Sequence, residues 1–301
     1  MKVKPTFYRQ RILIALLESF NGKLSKLDLQ KLLFLFMQKH FTKKQPYEFV
    51  PYHYGCYSFQ ANSDIKTLTN YGFLKVDNKT NLITINREDY SGINNLKDKD
   101  IEALRSFTNK YKDLSGDELI GYVYRNYPYY TLNSKIVDKF IDIPYTKQQS
   151  LFPHPSKDFY TIGYEGITFE KYINKLIDND ISILCDVRRN AFSMKFGFSK
   201  NMLKHTLENI GIKYIHLPEL GIVSEERQEL NCLEDYQQLF KEYENTTLCN
   251  DDAIVALSLL KDLSSNQKIA LTCFEKDIEY CHRGIIAKKL NEIYHLESTN
   301  L

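Results

Sequence analysis

The chain contains no tryptophan and only six cysteines among its 301 residues, and none of the cysteines form a Cys-x-x-Cys pair. A disulfide-stabilised scaffold is much denser in cysteine, so we expect free thiols and a cytoplasmic location. The longest apolar run, at 32–37, is shorter than the ~20 residues that cross a bilayer. The first residues lack an apolar segment followed by a small-residue cleavage site, so we expect no secretory signal and no membrane partner.

An excess of charge is also missing, because 40 basic and 38 acidic residues leave a net charge of +2. Proteins that neutralise many phosphates usually carry a basic excess, so the composition of the whole chain does not point to nucleic acid. Apolar residues make up 43% of the chain, and its length allows two domains that each bury a core. A globular, two-domain protein is therefore expected.

The first half, residues 1–150, has the pattern of a mainly helical domain. Apolar residues recur at helical spacing between Phe7 and Phe20, and Ser25 is a suitable N-cap for a second helix. A short helix is predicted after Ser63, followed by a hairpin over 73–86. Helices followed by a two-stranded wing are typical of a winged helix-turn-helix.

Further helices are predicted at 98–112 and 116–127, the latter capped by Ser115. The stretches QKLLFLF, FVPYHYGCYS and LSGDELIGYVYRNYPYY resemble the Panacea (SocA-like) antitoxin domain. This resemblance implies an interaction module that neutralises or senses a protein partner. The match departs from the family pattern at Cys56, where proline is usual, and at 127–129, where Tyr-Pro-Tyr replaces a His- and Trp-containing end.

A segment with three prolines and no periodicity, at 142–158, predicts a linker with a boundary near 150–157. The second domain, 157–301, changes to strands that alternate with helices. Strands are predicted at 159–164, 182–188, 213–218 and 268–274, and this alternation favours an α/β fold with a parallel, helix-covered sheet. The run KIALTCF lacks polar alternation, as expected for a central strand buried on both faces.

Ligands of such sheets bind beyond the carboxyl ends of the strands. Polar residues follow each of the predicted strands. They are Tyr164 and Glu165, then Asp186 and Arg188, then His216, and finally Cys273 and Glu275. Asp186 and Arg188 lie two apart on a strand, so they either serve a site or simply pair with neighbours, and His216 has a structural alternative too. The sequence predicts a site at this edge.

The loop LTCFEKDIEYCHRG, at 271–284, carries most of the candidate chemistry. Cys273 ends a strand, and a helix N-terminus near His282, together with Arg283, would favour its thiolate. The candidate catalytic residues are Cys273, Asp186, Glu275 and His282. The candidate ligand-binding residues are Tyr164, Glu165, Arg188, His216, Cys281 and Arg283, with the two arginines holding an anion.

Two other interpretations of this loop stay open. It could be a hydrogen-bonded connection that only joins strand to helix, or Cys273, Glu275, Cys281 and His282 could bind a metal. We expect no metal and no cofactor, because adjacent Cys281 and His282 at the start of a helix should not both reach one ion. The ten residues from Cys273 to Arg283 also exceed the usual spacing of a phosphatase loop.

Four ordered motifs, TIGYEG, DVRRNAFSMKFGFSK, IKYIHLPELGI and LTCFEKDIEYCHRGIIA, resemble the domain of unknown function family 488. The resemblance implies a three-layer α/β domain of the rhodanese–phosphatase superfamily, and a setting in bacterial conflict or nucleic-acid modification. Its DVR pattern falls on Asp186 and Arg188, and its Cys-x-Glu and Cys-His-Arg patterns fall within 273–283. Ala191 and Met194 depart from the family, which often has proline and a basic residue there, and Arg189 and Lys195 are close enough to substitute for the missing cation.

The sequence therefore predicts a phage-defence or toxin–antitoxin protein whose second domain binds, and processes, an anionic nucleotide or nucleic-acid substrate. The alternative is a sensor without turnover, or an adaptor that binds DNA or protein. The first domain would recruit a protein partner or, as a winged helix, DNA.

Overall fold

The computed structural model describes residues 4–87, 89–142, 159–223, 230 and 232–301. Residue contacts divide the chain into two compact units, 1–149 and 150–301, here the N-terminal and C-terminal units. Apart from Asp142, the predicted linker lies outside the described residues. Among the helices of the described ranges, none combines the length and apolar character needed to cross a membrane.

The helices of the N-terminal unit follow the predicted order, with corrected starts. Ser25 caps the second helix as predicted, since its Oγ accepts the N–H of Asp28 at 2.9 Å. The third helix begins before Ser63, because Ser58 is its N-cap and accepts the N–H of Ala61 at 3.2 Å. Ser115 makes no side-chain cap. The helices are α1 (Tyr8–Ser19), α2 (Lys26–His40), α3 (Phe59–Asn70), α4 (Asp98–Tyr111) and α5 (Gly116–Asn126).

Two small sheets accompany these helices. The predicted hairpin is present as antiparallel β4 (Leu74–Asp77) and β5 (Leu82–Ile85), and β1 (Lys23–Ser25) adds a third strand beside β5. The Tyr- and Pro-rich loop contains a second hairpin, β2 (Val50–Tyr52) and β3 (Gly55–Tyr57). Sequence periodicity missed β1, β2 and β3 because each has only three residues.

The C-terminal unit contains the predicted parallel sheet, with one additional strand. Its order is β10-β6-β9-β7-β8, all neighbours parallel, and KIALTCF provides the central strand as predicted. The strands are β6 (Phe159–Gly163), β7 (Ile183–Asp186), β8 (Lys213–His216), β9 (Ile269–Cys273) and β10 (Thr299–Asn300). The helices are α6 (Phe169–Asp178), α7 (Lys200–Glu208), α8 (Leu233–Asn245), α9 (Asp251–Ser264) and α10 (His282–Tyr294).

Helices cover both faces of this sheet. Alternate strand residues such as Cys185, Leu271 and Cys273 belong to a core cluster that includes apolar residues of α8, α9 and α10. The intervening residues point the other way, because side chains alternate along a strand. On that second face, Tyr172 of α6 donates a hydrogen bond to Thr272 of β9 at 2.8 Å. Consecutive residues at the end of a strand, such as Thr272 and Cys273, therefore contact helices on opposite faces of the sheet.

Candidate active site

The carboxyl ends of the strands meet at one level, where the sequence predicts a site. Gly163 is paired in register with Cys273, and Asp186 is paired with both Thr272 and His216. A cavity of about 400 Å³ opens at this edge. Its lining includes five of the predicted site residues, namely Tyr164, Arg188, Cys273, Glu275 and His282.

Gly163 allows the loop after β9 to cross the end of β6. A Cβ on this residue would lie 1.9 Å from the carbonyl oxygen of Glu275, much closer than non-bonded carbon and oxygen atoms can approach. The N–H groups of Tyr164 and Glu165 both donate to the carbonyl of Phe274, at 3.1 and 2.8 Å. These contacts fix the backbone on either side of Phe274 and so position Cys273 and Glu275.

His282 connects Cys273 to the neighbouring strand. Its Nε2 lies 2.9 Å from the carbonyl oxygen of Val187, and its Nδ1 lies 3.8 Å from Sγ of Cys273. A carbonyl only accepts hydrogen bonds, so Nε2 carries the proton, and in the neutral ring the lone pair of Nδ1 can accept the thiol proton of Cys273. Both side chains are almost fully buried at the floor of the cavity. The sequence predicted the pair, but not the role of Val187.

Glu275 and Cys281 complete the surroundings of this sulfur. Cys273 donates to Oε2 of Glu275 at 3.2 Å. Cys281 is 1% exposed, and burial together with the adjacent Cys273 raises the pKa of its thiol well above the ordinary value.

The donor atoms of Cys273, Cys281 and His282 all lie within 4.8 Å of one another. This contradicts the expectation that adjacent Cys281 and His282 cannot reach the same point. The reason is that Cys281 is the N-cap of α10 in an extended conformation (φ −133°, ψ 131°), whereas His282 is the first helical residue.

Asp186 and Arg188 pair with each other on the opposite face of the sheet from Cys273. Nε of Arg188 donates to Asp186 at 2.8 Å, and Tyr214 donates to the same carboxylate at 2.6 Å. Burial opposes the charge of Arg188, but the hydrogen bonds to Asp186, the negative charge of Asp186 and the contact with Tyr164 together outweigh burial and raise the pKa of the guanidinium. Another nitrogen of Arg188 donates to the hydroxyl of Tyr164 at 2.8 Å. Of the two alternatives for Asp186 and Arg188, these contacts favour the structural one.

The remaining predicted residues surround the site without lining the cavity. Arg283 is fully buried and donates to the carbonyls of Glu275 and Lys276, so it stabilises the loop from inside the protein. Glu165 is exposed and accepts the N–H of Lys276 at 3.0 Å. His216 donates through Nε2 to the carbonyl of Arg188 at 2.9 Å, and Lys200 donates to its Nδ1 at 3.0 Å.

The segment that follows Arg188 forms one wall of the cavity, and its residues were not among the candidate site residues. Arg189 is exposed there, and its Nη1 donates to the carbonyl of Pro218 at 3.2 Å. Lys195 lies beside the cavity, bonded to the carbonyl of Tyr164. This segment directly follows the DVR motif in the sequence, and that position was the signal that could have identified the wall. The further lining residues are Asn190, Phe192, Ser193, Met194, Ile222 and Phe274.

The fold and site define an α/β unit with a cysteine–histidine pair in a cavity at the carboxyl edge of a parallel sheet. Residues 168–290 match the family described as "Domain of unknown function DUF488". This match covers less than half of the chain and contains most of the site, from Asp186 to Arg283. No curated protein and no solved structure matches the sequence.

Proposed function

We propose that the C-terminal unit binds an anionic substrate, a nucleotide or nucleic-acid phosphate, and processes it with Cys273 as nucleophile. The alignment of Cys273, His282 and Val187 carries this proposal. A thiol in contact with a base that a third group orients is the arrangement of nucleophilic catalysis. The position of this pair at the floor of an open cavity gives a substrate access to it.

The chemistry follows from these contacts. His282 takes the thiol proton through Nδ1, and the sulfur forms a bond to the phosphorus of the substrate while the bond from phosphorus to the leaving oxygen breaks. The leaving oxygen then takes that proton from His282. Water attacks the phosphorus, the bond to sulfur breaks, and Cys273 regains a proton. Glu275, which accepts from Cys273 at 3.2 Å, competes with His282 for the role of first base.

We assign recognition of the anion to Arg189 rather than to Arg188 and Arg283. Arg188 is committed to Asp186 and Tyr164, and Arg283 to loop carbonyls. Arg189 is exposed at the cavity, so its remaining donors can form charge-assisted hydrogen bonds with a phosphate.

The wider setting is also part of the proposal. A role in phage defence or toxin–antitoxin conflict, a rhodanese–phosphatase relationship, and a Panacea-like N-terminal unit rest on the sequence resemblance. The N-terminal unit has a cavity of about 460 Å³ near His53 and the half-exposed Tyr54, a surface that suits a protein partner. A winged-helix role in DNA binding would require salt-dependent gel shifts, and their absence would exclude it.

The decisive experiment measures turnover in the full chain. The assay monitors phosphate release from a panel of nucleoside phosphates by ³¹P NMR. We expect this release to be lost in Cys273→Ser. Arg189→Ala should raise KM more than it lowers kcat. The matched control is Cys249→Ser, because Cys249 is an exposed thiol whose only described bond is to the carbonyl of Glu244.

The competing sensor hypothesis makes the opposite prediction. If Cys273→Ser binds the same nucleotides and keeps its cellular activity while Arg189→Ala loses both, the nucleophile proposal fails and a binding function remains. Retained turnover in Cys273→Ser would also exclude Cys273 as the nucleophile.

A further inference from the structure

The sulfur and nitrogen atoms around Cys273 have the composition of a site for a thiophilic metal. Cys273, Cys281 and His282 contribute two thiols and an imidazole, and all three residues are at least 98% buried. Zn²⁺ prefers these ligands, and its catalytic or open sites use three protein ligands. The sequence left a metal site open as an alternative but argued against it, because Cys281 and His282 are adjacent residues at a helix start.

The distances suit tetrahedral coordination after small movements. Zn–S and Zn–N bond lengths place tetrahedral ligand atoms roughly 3.5–3.8 Å apart. Sγ of Cys273 and Nδ1 of His282 are 3.8 Å apart, and no pair in the set exceeds 4.8 Å. Each pair of ligand atoms therefore needs to approach by at most about 1.3 Å to reach tetrahedral coordination.

The outer contact of His282 independently indicates a metal ligand. Histidines that bind metals usually donate their other ring N–H to a carbonyl or carboxylate, which fixes the tautomer and aims the free nitrogen. Nε2 of His282 does this with the carbonyl of Val187, at 2.9 Å. Nδ1 is consequently left on the side of Cys273, 3.8 Å from its Sγ.

We propose that Cys273, Cys281 and His282 bind Zn²⁺, with the fourth coordination position facing the cavity. Both Cys273 and His282 line that cavity, so a water molecule or a ligand can occupy this position. Binding releases the two thiol protons, and the cation balances the resulting pair of buried negative charges. When Sγ of Cys273 coordinates the metal, the sulfur is no longer available for nucleophilic attack on a substrate.

Cobalt provides a direct test on the full chain, purified with a phosphine reductant and without chelator. Both surface cysteines, Cys232 and Cys249, are first replaced by serine so that they cannot bind metal. We expect Co²⁺ to give sulfur-to-metal charge-transfer bands and the visible bands of a tetrahedral site, and Zn²⁺ to abolish them. A parent protein without charge-transfer bands overturns the proposal, whatever the variants do.

Affinity measurements then identify the ligands. Competition with a chromogenic zinc chelator should show at least ~100-fold weaker binding in Cys281→Ser and in His282→Ala, since even an outer contact is typically worth 10–100-fold. Glu275→Gln should have a much smaller effect, because Glu275 is outside the set of mutually close donors. Unchanged affinity in Cys281→Ser overturns the assignment.

Alkylation separates this proposal from the proposed thiol chemistry. Zn²⁺ should protect Cys273 from iodoacetamide, and a chelator should restore the reaction. If Cys273 supports turnover but Zn²⁺ neither binds nor protects, only the metal proposal fails. If Zn²⁺ binds but turnover persists in Cys273→Ser, only the nucleophile proposal fails.

Discussion

At the scale of single residues, the C-terminal unit uses its buried charges for structure. Asp186 and Arg188 share a bidentate side-chain contact, and Tyr214 adds a further hydrogen bond to the carboxylate. The charges are removed from solvent, so each depends on the other for compensation. This pair holds the backbone of Val187, whose carbonyl orients His282.

Asp186→Asn should therefore be strongly destabilising. It leaves the Arg188 guanidinium buried without its counter-charge, a change that typically costs about 3–5 kcal/mol. Urea unfolding, monitored by circular dichroism, measures this effect. Circular dichroism suits this chain because it does not depend on tryptophan, which the chain lacks. The control is Asp262→Asn, which removes an exposed ion pair with Lys261 and should change stability by no more than ~0.5 kcal/mol. An equal midpoint for both variants would show that the buried pair does not stabilise the unit.

At the scale of elements, the site depends on one backbone crossing. The loop after β9 passes so close to the end of β6 that Gly163 has no room for a side chain. Burial on both faces of β9 keeps the strand fixed, so the loop has to move if a methyl group is added.

We expect Gly163→Ala to displace the Glu275 carbonyl and to slow the alkylation of Cys273 by iodoacetamide, because the geometry around the sulfur changes. Gly166→Ala is the matched control. Gly166 also follows β6 and has a left-handed φ of +74°, but its added Cβ would meet no atom within 4 Å. That control should cost about 1–2 kcal/mol of backbone strain while leaving the reactivity of Cys273 intact. Equal reactivity in the two variants would contradict the role of the crossing.

The same elements show what the sequence could and could not predict. Apolar runs located β6, β7 and β9, which are buried along their whole length, and the alternation of strands with helices located β8 and α10. These patterns missed β10, which has two residues, and α8, whose buried residues Leu239, Phe240 and Tyr243 are set among charged neighbours. The convergence of Cys281 with His282 was not predictable, since it depends on the change from an extended to a helical backbone between them.

At the scale of the whole molecule, each unit encloses its own hydrophobic core. One cluster is formed by residues of α1 to α5 and the small sheets, and the other by β6 to β9 with the helices α8 to α10. Each described sheet is completed by strands of a single unit. A core and a closed set of strand pairings are what a segment needs to fold alone.

We therefore predict that residues 159–301, expressed without the first unit, fold cooperatively and retain the site. Thermal unfolding by circular dichroism should give a single transition, and Cys273 should react with iodoacetamide at the rate seen in the full chain. A shorter segment, 183–301, serves as the control. It lacks β6, which pairs with both β9 and β10, and α6, which supplies the hydrogen bond to Thr272, so it should not fold. An unfolded 159–301 segment, or one whose Cys273 has lost its reactivity, would mean that the C-terminal unit needs the first 158 residues to form its site.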